Sequence, residues 1–245
     1  MIVHYDGSFE GFLTLVYDVY YEKLIISSIV KTEPDTLVFE RYHDIMTQLN
    51  KASKVLLALK RHFPKQHLQT IFHIFLCDTK PFEMALLYFI QQGFKDTTKL
   101  CDITQKELFE INQWEKELLS HVHKMYGFVR FEELDDHTLY AKIETKFNIL
   151  PFLGEHFCKR LGNILFIIHD VRRSLAFVKN NESREIRSIA FVDTPTYSSE
   201  EETFKALWKR FFKAATVENR HNPKLQQSWV PLLYRTYMSE FQDEV

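Results

Sequence analysis

The hydrophobic pattern of this chain changes period at Gly127, which limits the fold to one holding both helices and a sheet. Before the glycine, apolar residues recur every three or four positions. Phe9, Phe12, Leu13, Val16, Val19 and Tyr20 form one such stripe, with Asp6 and Ser8 placed to cap its start. The same spacing predicts a helix through Ile45, Leu49, Ala52, Leu56 and Leu59 that ends before Pro64. A second helix buries Leu68, Ile71, Phe72 and Phe75; a third has Pro81 in its first turn, buries Phe82, Ala85, Leu86 and Phe89, and stops at Gly93. Thr104 and Glu107 have capping-box spacing for a long helix through Leu108, Ile111, Leu118, Val122 and Met125, which Gly127 can close. Short extended segments are expected at Ile2 to Tyr5 and at Thr36 to Glu40.

After the glycine the period becomes two. Val129 and Phe131 alternate with Arg130 and Glu132, and Leu139, Ala141 and Ile143 alternate with Tyr140, Lys142 and Glu144, so a hairpin turns at Asp135-Asp136. A helix from Asn148 to Leu161 separates it from strands at Asn163 to His169, Ser174 to Lys179 and Ile186 to Val192. Ser198 and Glu201 box a further helix, and Asn222-Pro223 opens another. The expected fold class is therefore α+β: a helical N-terminal half at about 6–126, a five-stranded, mainly antiparallel sheet at about 127–193 interrupted by one helix, and C-terminal helices at about 198–240 packed on the sheet. No repeat, low-complexity stretch or linker interrupts the series, which favours a single domain over the 245 residues.

Composition narrows the function classes only a little. With 45% hydrophobic residues the chain can bury a core, and 6 Gly and 7 Pro against 22 Phe exclude collagen-like and disordered classes. Since 31 Lys+Arg oppose 33 Asp+Glu, any nucleic-acid argument must rest on local charge. Apolar runs such as Ile164 to Ile168 are too short to cross a bilayer and the N-terminus lacks a cationic leader, so a cytoplasmic protein without a membrane partner is expected. Cys77, Cys101 and Cys158 are too widely spaced for a Cys-x-x-Cys site, and their odd number argues against a disulfide framework; they read as small buried groups.

Few residues suggest chemistry by spacing. His121 and His123 lie two apart on a helix and point to different faces, so they do not form a metal-chelating pair. His123, near the helix end, reads as a charge at the carbonyl terminus or a satisfied polar core group, ahead of a catalytic acid-base group. Tyr5-Asp6-Gly7-Ser8-Phe9-Glu10-Gly11 puts a glycine turn before a helix N-terminus, as phosphate loops do, yet it lacks their lysine; turn plus cap is the better reading. In His169-Asp170-Val171-Arg172-Arg173 guanidinium groups at a turn can fork onto phosphate or carboxylate while Asp170 orients them. From Lys205 to Arg235 lies the one strongly basic stretch: Lys205, Lys209, Arg210, Lys213, Arg220, Lys224 and Arg235 face Glu218 alone. Lys205, Lys209 and Lys213 recur every four residues, away from Phe204, Leu207, Trp208 and Phe211. Such a stripe is either a solvated helix face or a phosphate footprint, to which Arg220 and Lys224 would add. No G-x-S-x-G elbow occurs.

Several segments together resemble a known family. They are Tyr5 to Leu13, His123-Lys124-Met125-Tyr126-Gly127-Phe128-Val129-Arg130-Phe131, Asn148-Ile149-Leu150-Pro151 with His156-Phe157 and Arg160, Ile168 to Arg173, and Arg220-His221-Asn222-Pro223-Lys224-Leu225-Gln226 followed by Pro231 and Tyr234. In this order, over nearly the whole chain, they resemble an uncharacterised bacterial family labelled as DNA metabolism proteins. Members of that family are typically encoded beside a radical-SAM protein assigned to DNA modification or repair, and a related domain is fused to proteins similar to uracil-DNA glycosylases. The resemblance implies an accessory protein that docks to the radical-SAM enzyme and helps hold DNA, with no cofactor of its own. A second implication is an enzyme of nucleic-acid chemistry with His123, Arg130, His156, Asp170 and Arg173 meeting beside the sheet. One stretch departs from the family: where relatives carry a basic pair followed by Tyr-Trp, this chain has Leu232-Leu233-Tyr234-Arg235, which alters any contact that pair makes.

Overall fold

The N-terminal strand β1 (Ile2–His4) lies between β2 (Ser28–Val30) and β3 (Tyr42–Asp44) and pairs parallel with both. Periodicity does not reveal this small sheet, because strands of three residues are too short to show alternation. In the computed structural model, residues 1–31, 41–189, 195–216 and 222–242 are described; the strand expected at Thr36 to Glu40 lies outside them. By its contacts the chain divides into two compact units, 1–118 and 119–245.

In the first unit, α1 (Phe9–Tyr21) follows β1 after a tight turn. Ser8 Oγ accepts from Gly11 N at 2.9 Å and donates to Asp6 Oδ1 at 2.6 Å. Asp6 also accepts from Ser8 N and Thr47 Oγ1, at 2.9 and 2.7 Å. Partial burial pushes the Asp6 carboxyl up, but these hydrogen bonds outweigh it and hold the group below the usual carboxylate range. A Cβ on Gly11 would overlap Asp6 Oδ1, so the glycine makes room for this cap. The turn thus satisfies its own polar groups.

Helices α2 (Leu49–His62), α3 (Lys65–Phe75) and α4 (Phe82–Lys95) follow. Ile45 is buried but precedes α2, continuing from β3, and the buried stripe of α2 is Ala52, Val55 and Leu59, with Leu49 exposed. In α3, Ile71 and Ile74 are buried while Phe72 is exposed, so the inward face is rotated from the expected one. Helix α4 passes through Gly93, which lies in its last turn because the Phe63 ring occupies the space of a Cβ there. Cys77 is buried, and burial pushes its thiol up to about 12; Cys101, in contrast to the expectation, is exposed in the 3-10 turn Thr97–Cys101.

The long helix α5 (Lys106–Phe128) runs from the first unit into the second. The second unit holds a five-stranded sheet in the order β4 (Glu132–Glu133), β5 (Leu139–Ile143), β6 (Phe166–Asp170), β7 (Leu175–Lys179), β8 (Arg184–Ser188). Three of its pairings are antiparallel and β5–β6 is parallel, as α6 (Leu150–Leu161) allows by carrying the chain back to the starting edge. The sheet is therefore mixed but mainly antiparallel. Helix α6 packs over β6 and β7, and the rings of Phe131, Phe157, Phe166 and Phe177 fill the space between. Helices α7 (Glu201–Ala215), α8 (Pro223–Trp229) and α9 (Leu232–Arg235) follow, then the 3-10 turn Ser239–Phe241. Asn222 caps α8 by accepting from Leu225 N. No described helix is long and apolar enough to cross a membrane.

Candidate functional site

The edge strand β4 is two residues long and leaves polar backbone for another element to satisfy. Glu201, in the first turn of α7, does so: its carboxylate accepts from Glu133 N at 2.8 Å, while Ser198 N donates to Glu133 O at 2.9 Å. The capping box expected of Ser198 and Glu201 is thus not the bond described for Glu201. One turn further along α7, Lys205 pairs with Glu132 at 2.7 Å and lies 4.9 Å over the Tyr197 ring.

Between this edge, α7 and the C-terminal turn is a cleft of about 650 Å³, lined among others by Arg130, Glu132, Lys142, Lys205, Trp208 and Tyr237. Its electrostatics come from crowded carboxylates. Glu201 is raised above its ordinary range, first by burial and then by Glu132 and Glu133, which together outweigh the Glu133 N–H and Lys205. Burial and the neighbouring Glu132 push the Tyr197 phenol up to about 12. Arg130 forks onto Glu240 at 2.6 and 3.2 Å, donates to Gly127 O at the end of α5, and lies 5.3 Å over the Trp208 ring. Glu240 is pushed up by burial but is held below the usual range by hydrogen bonds from Arg130 and Trp208 Nε1. Arg130 thereby ties α5, α7 and the C-terminal turn together.

The other residues singled out from the sequence lie elsewhere. His123 is exposed on α5. His156 stacks on Tyr126 at 4.0 Å, its Nε2 buried with no hydrogen-bond partner among the described residues; burial and the nearby Arg160 and Lys159 push its pKa below the ordinary histidine value. Asp170 is fully buried and pairs with Arg173 at 2.7 Å, and Arg173 also donates to Thr145 O and Lys146 O at 3.0 and 2.8 Å. That pair clamps the turn after β6 to the loop before α6. Of the five, only Arg130 lines the cleft. Among the described residues no three His, Cys, Asp or Glu side chains gather to hold a metal ion.

The basic helix is turned in an unexpected direction. Lys205 faces inward, where Glu132 and Glu202 meet it, so it is a less available phosphate contact than its sequence position suggests. Lys209 is half-buried; Lys213 and Lys224 are exposed; Arg220 lies outside the described residues. Arg235 is buried, donating to Val230 O and lying 4.3 Å over Phe241. On the outer surface of α7 the apolar residues stand in solvent, with Phe204 53%, Leu207 52% and Phe211 62% exposed, and Arg210 beside them is also exposed.

Sequence reasoning gave Glu201 only a capping role and did not single out Glu132, Tyr197 and Glu240 as site residues, because partners such as Glu133 for Glu201 and Arg130 for Glu240 lie tens of residues away and leave no spacing signal. It also missed a buried pair, Tyr140 OH with His169 Nδ1 at 2.9 Å, and a part-buried one, His121 with Tyr234. The second explains the tyrosine of the C-terminal signature, which locks α9 to α5.

A family model for a domain of unknown function, DUF4130, matches residues 80–240. No curated protein and no solved structure matches the chain.

Proposed function

Starting from a chain that belongs to the DUF4130 family, we propose that it is a cytoplasmic accessory protein of DNA modification or repair, working beside a radical-SAM enzyme and holding nucleic acid on α7, with no cofactor of its own. One observation carries the reading: Phe204, Leu207 and Phe211 stand in solvent beside the exposed cations Arg210 and Lys213. Aromatic rings next to cations are what an unpaired nucleic-acid strand requires, the rings stacking on bases and the cations meeting phosphates. The five signatures that resemble the DNA metabolism family support the same direction. The rival, an enzyme using His123, Arg130, His156, Asp170 and Arg173, is disfavoured because Arg130, Asp170 and Arg173 are held in structural pairs and His156 is stacked under Tyr126.

The test is fluorescence anisotropy with a labelled single-stranded 20-mer, titrated at several salt concentrations. Arg210→Glu with Lys213→Glu should weaken binding at least tenfold and reduce the salt slope by about 1.4, at about 0.7 per phosphate contact. Phe211→Ala should weaken binding several-fold without changing the slope. Unchanged affinity and slope in the charge-reversed variant would remove the nucleic-acid role from α7, and failure to co-purify with a co-expressed radical-SAM partner would remove the accessory role.

A further inference from the structure

A second stretch that carries cations without acidic residues lies in the first unit. Between Asp44 and Asp78 the sequence contains Lys51, Lys54, Lys60, Arg61 and Lys65 and no Asp or Glu. The fold gathers these cations at the surface. With Ala52, Val55 and Leu59 buried, α2 turns Asn50, Lys54, Leu57 and Arg61 outward on successive turns, with Lys60 beside them, and Lys65 is exposed at the start of α3.

Aromatic rings adjoin one end of this row. Helices α1 and α2 pack together, joined by Lys51 and Asp18 at 2.6 Å. The last turns of α1 carry Tyr17, Tyr20 and Tyr21; Tyr17 stacks on Tyr21 at 4.3 Å, and Tyr20 meets Tyr21 edge-on at 5.3 Å. Lys51 and Lys54 lie 5.5 and 5.7 Å over the Tyr17 ring. Tyr20 is 71% exposed and Tyr21 64%. The nearby acids are Asp18, which Lys51 engages, and Glu22.

We propose that this α1–α2 surface binds single-stranded nucleic acid, with phosphates along Lys54, Lys60, Arg61 and Lys65 and bases stacked on Tyr20 and Tyr21. Charge complementarity selects a polyanion, because the exposed row has four cations, Lys54, Lys60, Arg61 and Lys65, and no carboxylate of its own, while Lys51 is engaged by Asp18. The exposed rings select an unpaired strand, since bases inside a duplex offer no free face to stack on. An anionic bilayer fits less well: α2 exposes only Leu49 and Leu57 among its large apolar residues, and the outward row of Asn50, Lys54, Leu57 and Arg61 is mainly polar, short of the continuous apolar face that insertion requires. The inference does not depend on the α7 reading.

The experiment uses the full chain and the labelled single-stranded 20-mer. Lys54→Glu with Lys60→Glu and Arg61→Glu should weaken binding more than tenfold and lower the salt slope by about 2, for three phosphate contacts. Tyr20→Ser should weaken binding about fivefold and leave the slope unchanged. Far-UV circular dichroism checks that the variants fold; the milder pair Lys54→Gln with Arg61→Gln, expected to lose a slope of about 1.4, serves if the triple reversal does not. Unchanged affinity and slope in a folded variant overturn the proposal, as does equal competition by unlabelled duplex. Tighter binding to vesicles with 30% phosphatidylserine than to the oligonucleotide overturns it as well. The α7 variant, Arg210→Glu with Lys213→Glu, is measured in parallel. Loss in the α2 variant alone upholds this inference and removes the α7 reading; loss in the α7 variant alone does the reverse.

Discussion

Helices α2 and α7 have 14 and 15 residues and both carry rows of lysine, yet they turn opposite faces to their surroundings. Helix α2 buries Ala52, Val55 and Leu59 and sends its cations out, while α7 turns Glu201 and Lys205 in and leaves Phe204, Leu207 and Phe211 in solvent. The difference comes from the neighbour. Around α2 the contacts include α1, whose buried residues are largely apolar, so the hydrophobic effect orients the helix. One neighbour of α7 is a polar strand edge, where the Glu133 N–H is met by Glu201 and the Glu132 carboxylate by Lys205, so that face of the helix is held by polar pairs; another is the C-terminal 3-10 turn, reached through Phe212 and Phe241.

The sharpest way to break this comparison is a pair of leucine truncations. Leu59→Ala on α2 removes a side chain that is 1% exposed and should cost about 3 kcal/mol, whereas Leu207→Ala on α7 should cost under about 0.5 kcal/mol. Urea denaturation of the two variants decides, and equal losses would mean that the apolar row of α7 is covered in solution. A smaller effect is expected at the lysines. Lys205→Met should destabilise by about 1 kcal/mol because Glu132 loses its partner, while Lys54→Met should be neutral within error. A double-mutant cycle with Glu132→Gln checks that the Lys205 loss is coupling to that carboxylate.

The subtlest test is pH dependence. Glu201 has a folded pKa raised above its unfolded value, so the folded state binds the extra proton; its stabilising contribution is present below the unfolded pKa and is lost as pH rises through the folded one. Glu240 is depressed and behaves oppositely, its contribution being lost as pH falls through its folded pKa. Glu201→Gln should therefore flatten the decline in stability above the ordinary glutamate range, near about 4.3, and leave the acid limb set by Glu240 intact. A thermal-melt series across pH that shows no change above that range would remove Glu201 from the account.

Much of the fold was legible in the sequence because its signals are local. The Ser8 and Asn222 caps act within three residues, and alternation at Leu139 to Ile143 and at the later strands follows from side chains pointing to opposite faces of a pleat. The candidate site was not legible. Arg130 and Arg173 were singled out as chemical groups, but their partners, Glu240 and the Asp170, Thr145 and Lys146 oxygens, make them structural clamps. Arg130 and Glu240 are 110 residues apart, and no spacing rule relates them.

By itself the sequence determined that most of the helices and the strands from Leu139 onward exist, that Ser8 and Asn222 cap two of the helices, and that a chain with this change of period is α+β. These are properties of bonds and contacts within about four residues, and they hold whatever surrounds the segment. Only the tertiary structure decided that β5 and β6 run parallel, that β1 sits between two parallel neighbours, and that α7 shows its apolar side to solvent. Strand direction and helix facing depend on which distant donor, acceptor or charge is left to be satisfied, and that is fixed only when the elements meet.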